Sequence, residues 1–548
     1  MWALNKGFDI TDEGFYLLSY QPRNSIGYQT SFYGLIVRKI FGWLGTDWFS
    51  IRILRLLLTV LSSGLLGVGI DRMIKKNYDP KHEMSVYATC AFSVLGAMVS
   101  YSYGPQSLSY NSLNLIFVQF AGMFTLLSLS INSVKWKNLA IICAGFSCVF
   151  ILFIKFTTFP LLMLLLAVII LFIEEKEKIK TLAFFFIGVS IGCCILFAVI
   201  INPIQFAEIY RTSVRFAVES GGGYDISSQL DAMFELLGTS TCLSLIAIVI
   251  VCGIQLLKYV SQNKKTELLA RIFGVLLFLT GGACFIAAYG VNREDAGMML
   301  FLTLLSLFYF ISERIWNYSE EKNGLKQMIM GILLLLTPIT CSVGTNNLLM
   351  ENMLLYVSFL AASLLIFSIH FDQRIRAALL ILFAGASFYS FYNLFVNKPY
   401  RILPLIENSV KISEIPEANG LCVDEKTATF LNSIYKSLKE NNFREGDTLL
   451  GFFKIPGVVY LMKGTLPGGP LWSDKNADQF YLQLRMSKTM LYSPYILLTG
   501  SYIDDRHVDS LKHYGVNFPE EYINVKSVEN SLLRYVVNVY VPNKKQKK

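Results

Sequence analysis

Long apolar runs separated by short polar gaps fill the chain from Ile53 to about Val396, whereas Asn397 to Lys548 alternates apolar and polar positions as a globular protein does. A helix needs roughly 20 apolar residues to cross a bilayer, somewhat fewer at the short end. Runs near 53–71, 84–103, 110–130, 138–155, 158–173, 181–201, 241–257, 271–290, 296–313, 327–344, 350–370 and 376–396 fit that length. They predict about twelve spans, and only the Phe156–Thr157 region separates 138–155 from 158–173. Before the first span, Tyr28–Phe49 sets Phe32, Leu35, Ile36, Ile40 and Phe41 at helical spacing around Arg38 and Lys39, the pattern of an interfacial amphipathic helix. After the last span, Ala428–Lys439 carries Phe430, Leu431, Ile434 and Leu438 at helical spacing. Thr448–Phe453, Tyr495–Leu498 and Tyr535–Val541 read as strands and Asp504–Tyr514 as a short helix, which predicts a small α/β layer. The fold class expected is an α-helical polytopic membrane protein with a C-terminal soluble α/β domain, divided as 1–50, 51–396 and 397–548.

Composition agrees: the 548 residues are 54% hydrophobic and only 16% charged, against about a quarter charged in soluble proteins. The net charge of +9 would suit a nucleic-acid partner, but the basic residues sit in gaps between apolar runs, so membrane lipids are the partner instead. One set of gaps holds Arg72, Lys75, Lys76 and Lys81; Lys135 and Lys137; Lys176, Lys178 and Lys180; Lys258, Lys264 and Lys265; Arg314, Lys322 and Lys326; Arg374 and Arg376. The alternate gaps, 103–109, 202–240, 291–295 and 345–350, are nearly free of lysine. The positive-inside rule puts the first set in the cytoplasm, so that 1–50 and the C-terminal domain face outward. Of ten cysteines only Cys422 lies in that domain, which excludes an intradomain disulfide there. No Cys/His metal spacing occurs and no cofactor is predicted; a divalent-metal requirement stays open.

Candidate chemistry gathers at the outward end. Gly7-Phe8-Asp9-Ile10-Thr11-Asp12-Glu13-Gly14-Phe15-Tyr16 places three carboxylates within five residues. Crowding at a low-dielectric boundary raises carboxyl pKa values and suits a general base for a hydroxyl acceptor. Asp12 capping a short helix, with Glu13 complementing its dipole, is the equally weighted structural reading. Arg52 and Arg55 open the first span, and at a helix mouth such residues snorkel to the headgroups in preference to binding phosphate. Lys155 follows the apolar wall Phe150–Ile154, where an ionisable group either meets a functional partner or snorkels. Gln106, Tyr110, Asn111, Arg211, Arg215, Arg293, Asn346 and Asn347 complete the polar helix ends on that side. Arg293, between acids in a five-residue gap, also fits a local salt bridge.

In these residues the chain resembles the GT-C superfamily of membrane glycosyltransferases, in the bacterial branch related to protein mannosyltransferases and lipid A aminoarabinose transferases. Asp12-Glu13-Gly14-Phe15-Tyr16 looks like the family's acidic motif in the first outer loop. The amphipathic segment running into Trp48–Leu56, Ser107-Leu108-Ser109-Tyr110-Asn111, and Ser342–Asn347 follow in the family's order, as does Ile455-Pro456-Gly457-Val458-Val459-Tyr460. The family begins with a helix before the acidic motif, so the resemblance implies thirteen spans and a sequence that starts after the first. The aminoarabinose enzymes carry an arginine where this chain has Phe15, which leaves the donor sugar open.

The resemblance implies inverting transfer of a sugar from a polyprenyl-phosphate donor to a lipid, glycan or protein acceptor, at the outer face of a bacterial cytoplasmic membrane. Asp12 would act as base, with Glu13 orienting the acceptor or sharing the proton. Lys155, Arg293 and Arg215 would meet the donor phosphate, and Tyr16, Tyr110, Asn111 and Asn346 the substrates. A transporter or flippase, and a surface-glycan polymerase or ligase, are the rival readings. Against a transporter stand the absence of a visible internal repeat and the gathering of charge at one surface.

Overall fold

The computed structural model describes residues 2–21, 31–80, 84–174, 176–219, 226–261, 296–316, 322–344, 349–466, 481, 484, 491–500, 503–530 and 535–543. The first loop contains helices α1 (Asp12–Tyr20) and α2 (Tyr33–Ile36), the latter running on through a π turn, Val37–Phe41, and a 3-10 turn, Gly42–Leu44. The bundle follows as α3 (Trp48–Asn77), α4 (Val86–Ser102), α5 (Tyr110–Ser130), α6 (Val134–Ile154), α7 (Thr158–Ile173), α8 (Lys178–Val199), α9 (Pro203–Glu219) and α10 (Ile226–Ser261). Helices α11 (Gly297–Trp316), α12 (Lys322–Ser342), α13 (Leu349–Met353), α14 (Val357–Phe367) and α15 (Gln373–Tyr392) complete it. Among the described residues nine helices are long and apolar enough to cross a membrane, and Val86–Ser102 and Thr158–Ile173 are apolar but shorter. The expected span 271–290 lies outside the described residues. The protein is a multi-pass membrane protein.

Lipid is as apolar as leucine, so packing and buried polar contacts order the helices. The stretch Leu349–His370 is 94% buried and forms the axis, whereas α8 and α15 are 22% buried and form the periphery. Helices α6 and α8 cross at Gly145 and Gly188, where an added Cβ would run into the Phe185 or Ile142 carbonyl of the facing helix. Gln119 on α5 accepts from the Ser62 hydroxyl at 2.5 Å and donates to Ser358 at 2.9 Å, pinning α3, α5 and α14 at one level.

Two lysine-bearing gaps meet where Lys137 pairs with Glu174 at 2.8 Å, with Lys76 reaching the Ile131 carbonyl. The lysine-poor gap 103–109 lies against the first loop, where Gln106 donates to the Lys6 carbonyl at 2.9 Å. The helix expected over Tyr28–Phe49 is broken into the turns given above, with residues 28–30 outside the described set. Its Phe32, Tyr33, Ile36 and Val37 are buried. The Phe32 amide donates to Phe153 at 2.7 Å and its ring stacks on Phe206. Trp43, 80% exposed, projects outward.

The C-terminal region contains β1 (Val410–Lys411) paired with β2 (Cys422–Val423), and a four-stranded sheet. That sheet comprises β3 (Leu449–Phe452), β4 (Tyr495–Thr499), β5 (Tyr522–Asn530) and β6 (Tyr535–Pro542), in the order β3-β4-β6-β5 with β3 and β4 parallel. Helices α16 (Glu425–Glu440), α17 (Pro456–Leu461) and α18 (Asp505–His513) accompany it. The two expected helices and three expected strands are present; β1, β2, β5 and α17 are additions.

Candidate active site at one end of the bundle

The first loop is held by the C-terminal region. The Gly7 amide donates to the Cys422 carbonyl and the Cys422 amide to the Asn5 carbonyl, both at 2.7 Å, so the chain start extends the β1–β2 pair. The Gly457 amide donates to the Ile10 carbonyl at 2.7 Å, and α1 packs on α17. A Cβ on Gly14 would strike the Gly457 backbone, and one on Gly457 would lie 2.5 Å from Ile10 Cα. The two backbones touch because neither residue has a side chain. Ile455–Tyr460 is therefore the floor on which the acidic motif rests.

The three carboxylates of that motif have different partners. Glu13 is 1% exposed and receives Arg52 as a fork, Nε to Oε1 and a terminal nitrogen to Oε2, both at 2.8 Å. Ser107 adds a bond to Oε1 at 2.6 Å and the Asp9 amide one to Oε2 at 3.2 Å. Arg52 spends its other donors on the Leu4 and Gly7 carbonyls at 2.7 Å. Arg55 donates to the Tyr101 and Pro105 carbonyls. Neither arginine snorkels, because each finds acceptors inside: Arg52 is fully buried and Arg55 2% exposed.

Asp9 is the local cap. Its carboxylate accepts from the Thr11 amide at 2.9 Å, the Thr11 hydroxyl at 2.5 Å and the Glu13 amide at 3.2 Å. Burial, then the charge of Asp12, push its pKa up to about 7. Asp12 is the most open of the three, its side chain 21% exposed. Its Oδ2 accepts from the Tyr400 hydroxyl and meets Arg401 at 3.2 Å. No donor among the described residues reaches Oδ1. Burial and the Asp12 charge raise the pKa of Tyr400, which keeps that hydroxyl a donor.

The expected site residues divide between this end and elsewhere. Tyr16, one turn after Asp12, packs its ring on Tyr33 and Tyr110 at centroid separations of 5.5 and 6.2 Å. Asn111, beside Tyr110, has a buried Oδ1 with no hydrogen-bond partner among the described residues. Lys155 is 7% exposed and donates to the Cys341 carbonyl at 2.7 Å, so it caps the C-terminal turn of α12. It shares the site's end of the bundle through Phe32 and Phe153, yet pairs with none of the three acids. Arg215 lies on α9, but its side chain is outside the described residues, as are Arg293 and Asn346 entirely. Tyr400 and Arg401 were not anticipated; the available signal was a Tyr-Arg pair immediately after the last span.

A family profile described as "Erg28 like protein" matches residues 236–325, a minor part of the chain. No curated protein matches. Among solved structures, ArnT from Cupriavidus metallidurans bound to undecaprenyl phosphate is similar at 13% identity and TM-score 0.45, covering 98% of this chain and 95% of that one. The same protein in its apo state gives 12% identity and TM-score 0.39, covering 97% and 93%.

Proposed function

We propose that the protein is a membrane glycosyltransferase that moves a sugar from a polyprenyl-phosphate donor to a hydroxyl acceptor at the outer face of a bacterial cytoplasmic membrane. The observation that carries this reading is Asp12: one oxygen is held by Tyr400 and Arg401, and no donor among the described residues reaches the other. A carboxylate fixed at one oxygen and open at the other can take a proton from a sugar, lipid or protein hydroxyl. The hydroxyl oxygen then attacks the anomeric carbon in a single displacement, and the bond to the phosphate breaks with its electron pair. Phosphate is a good leaving group and needs cations more than a general acid. Arg401, 42% exposed beside Asp12, is suited to that role and stands in for the arginine that position 15 lacks. Lys155, Arg215 and Arg293 are the further candidates. Glu13, saturated by Arg52, Ser107 and the Asp9 amide, orients the loop. Tyr16, Tyr110, Asn111 and Asn346 are assigned to the substrates, and the acceptor is a glycolipid, a surface glycan or a protein.

Undecaprenyl phosphate, the ligand of the compared ArnT structure, is the carrier to test first. Membranes containing the parent or Asp12→Asn are supplied with a panel of radiolabelled undecaprenyl-phosphate sugars. Transfer by the parent that falls about 10²–10⁴-fold in Asp12→Asn, at equal folded protein, is expected. Equal transfer by both moves the base elsewhere. No transfer from any donor favours transport of a lipid-linked glycan.

A further inference from the structure

Asp9 is the one carboxylate of the motif that no cation contacts among the described residues, since Arg52 serves Glu13 and Arg401 serves Asp12. Beside it lies a small, partly open cavity of about 10 Å³, the size that holds a single water. Its lining includes Asp9, Glu13, Tyr101, Gln106 and Tyr400. Two buried polar atoms of that lining have no hydrogen-bond partner among the described residues: the Tyr101 hydroxyl and Gln106 Oε1, in residues 3% and 6% exposed. A hydroxyl that must donate, an amide oxygen that must accept and a carboxyl together match one water. A cation fits less well, because it offers the Tyr101 hydroxyl nothing to donate to.

We propose that Asp9 is a proton-holding positioning residue: when an anionic lipid-phosphate donor engages Arg401 beside Asp12, Asp9 takes up one proton from bulk and shares it with a water in this cavity. The inference rests on the donor class proposed above. The phosphate draws on the cation that otherwise offsets Asp12, so negative charge accumulates on Asp9, Asp12 and the donor. Protonating the acid that lacks a cation removes the surplus at least cost. The groups facing Asp9 are Asp12 and Glu13 from its own segment, Tyr101 from α4, Tyr400 and Arg401 after α15, and Tyr535 from β6. Arg52 lies behind Glu13. A pKa of about 7 lets the uptake occur near neutrality. No bond other than O–H changes and no redox partner is needed.

The test uses the full chain in detergent and undecaprenyl methyl phosphate, a diester whose single charge is constant from about pH 5.5 to about pH 8.5. Asp9→Asn removes the charge and keeps one oxygen for the Thr11 amide and hydroxyl but loses the acceptor for the Glu13 amide, so its melting is compared with the parent's at each pH. In the parent, probe affinity is expected to weaken about tenfold as pH rises through 7. Calorimetry in two buffers of different ionisation enthalpy should register proton uptake on binding. In Asp9→Asn, affinity should be flat with pH and no proton should be taken up. Transfer assays should show the pH dependence in the donor KM more than in kcat. The same pH slope in both proteins overturns the inference while leaving an Asp12-dependent transferase standing. A probe that binds the parent at no pH, with no transfer from any donor, overturns both.

Discussion

The three carboxylates of the acidic motif are set apart by their partners. Glu13 and Arg52 form a buried fork, and removing one member of such a pair leaves the other charged and unpaired, at a cost of about 3–5 kcal/mol. Arg52→Met should therefore lower the melting temperature and the folded yield in detergent, with Arg52→Lys intermediate because an ammonium cannot reproduce the fork. Unchanged melting of Arg52→Met would show that the pair carries no stability. Asp9 gives a second expectation. Its folded pKa stands above the ordinary 3.8, at about 7, so the folded state holds more protons than the unfolded state between those values. Stability contributed by this group is present at low pH and is lost as pH rises through that window. The melting difference between Asp9→Asn and the parent should accordingly grow from about pH 4 to about pH 7. The motif itself was legible in the sequence because three acids in five residues are conspicuous. The division of labour was not, since it depends on Arg52, Ser107, Tyr400 and Arg401, which lie 39, 94, 388 and 389 or 390 positions from their partners. The snorkelling expectation for Arg52 and Arg55 failed because it treats a helix end as if only lipid and water surrounded it.

Elements declared themselves where one solvent dictated the pattern. The spans among the described residues were readable from apolar length alone, and helix α16 from its periodicity. Strand β5 escaped because its first residues are mostly exposed on both faces and a register shift falls between Asn524 and Lys526. The Tyr33–Leu44 segment has helical spacing, but Val37–Phe41 adopts a π turn and Gly42–Leu44 a 3-10 turn. The contact between α1 and α17 depends on two glycines. Gly14→Ala or Gly457→Ala should separate the acidic motif from its floor and abolish transfer, whereas Gly385→Ala, with nothing within 4 Å, should leave it intact. Equal activity of all three would break the link between this contact and the site.

For the whole molecule, the acids and the sheet share one end of the bundle, the other end of α6 from the Lys137–Glu174 pair. If the end with the acids faces outward, as the basic gaps predict, Lys411→Cys in a cysteine-free background should react with an impermeant maleimide in intact cells. Lys180→Cys should react only after the membrane is opened. The reverse pattern would invert the protein. The hydrogen bond from Gly457 to Ile10 also sets an order of events in biosynthesis. The acidic motif leaves the ribosome well before its floor, because the nine long apolar helices among the described residues lie between Ile10 and Gly457. At about 5–20 residues per second, the motif waits roughly tens of seconds for its partner. A chain cut short before Ile455 would insert its helices and still carry the motif's acids, but would leave them without their floor, so the motif is assembled only once Gly457 has been made.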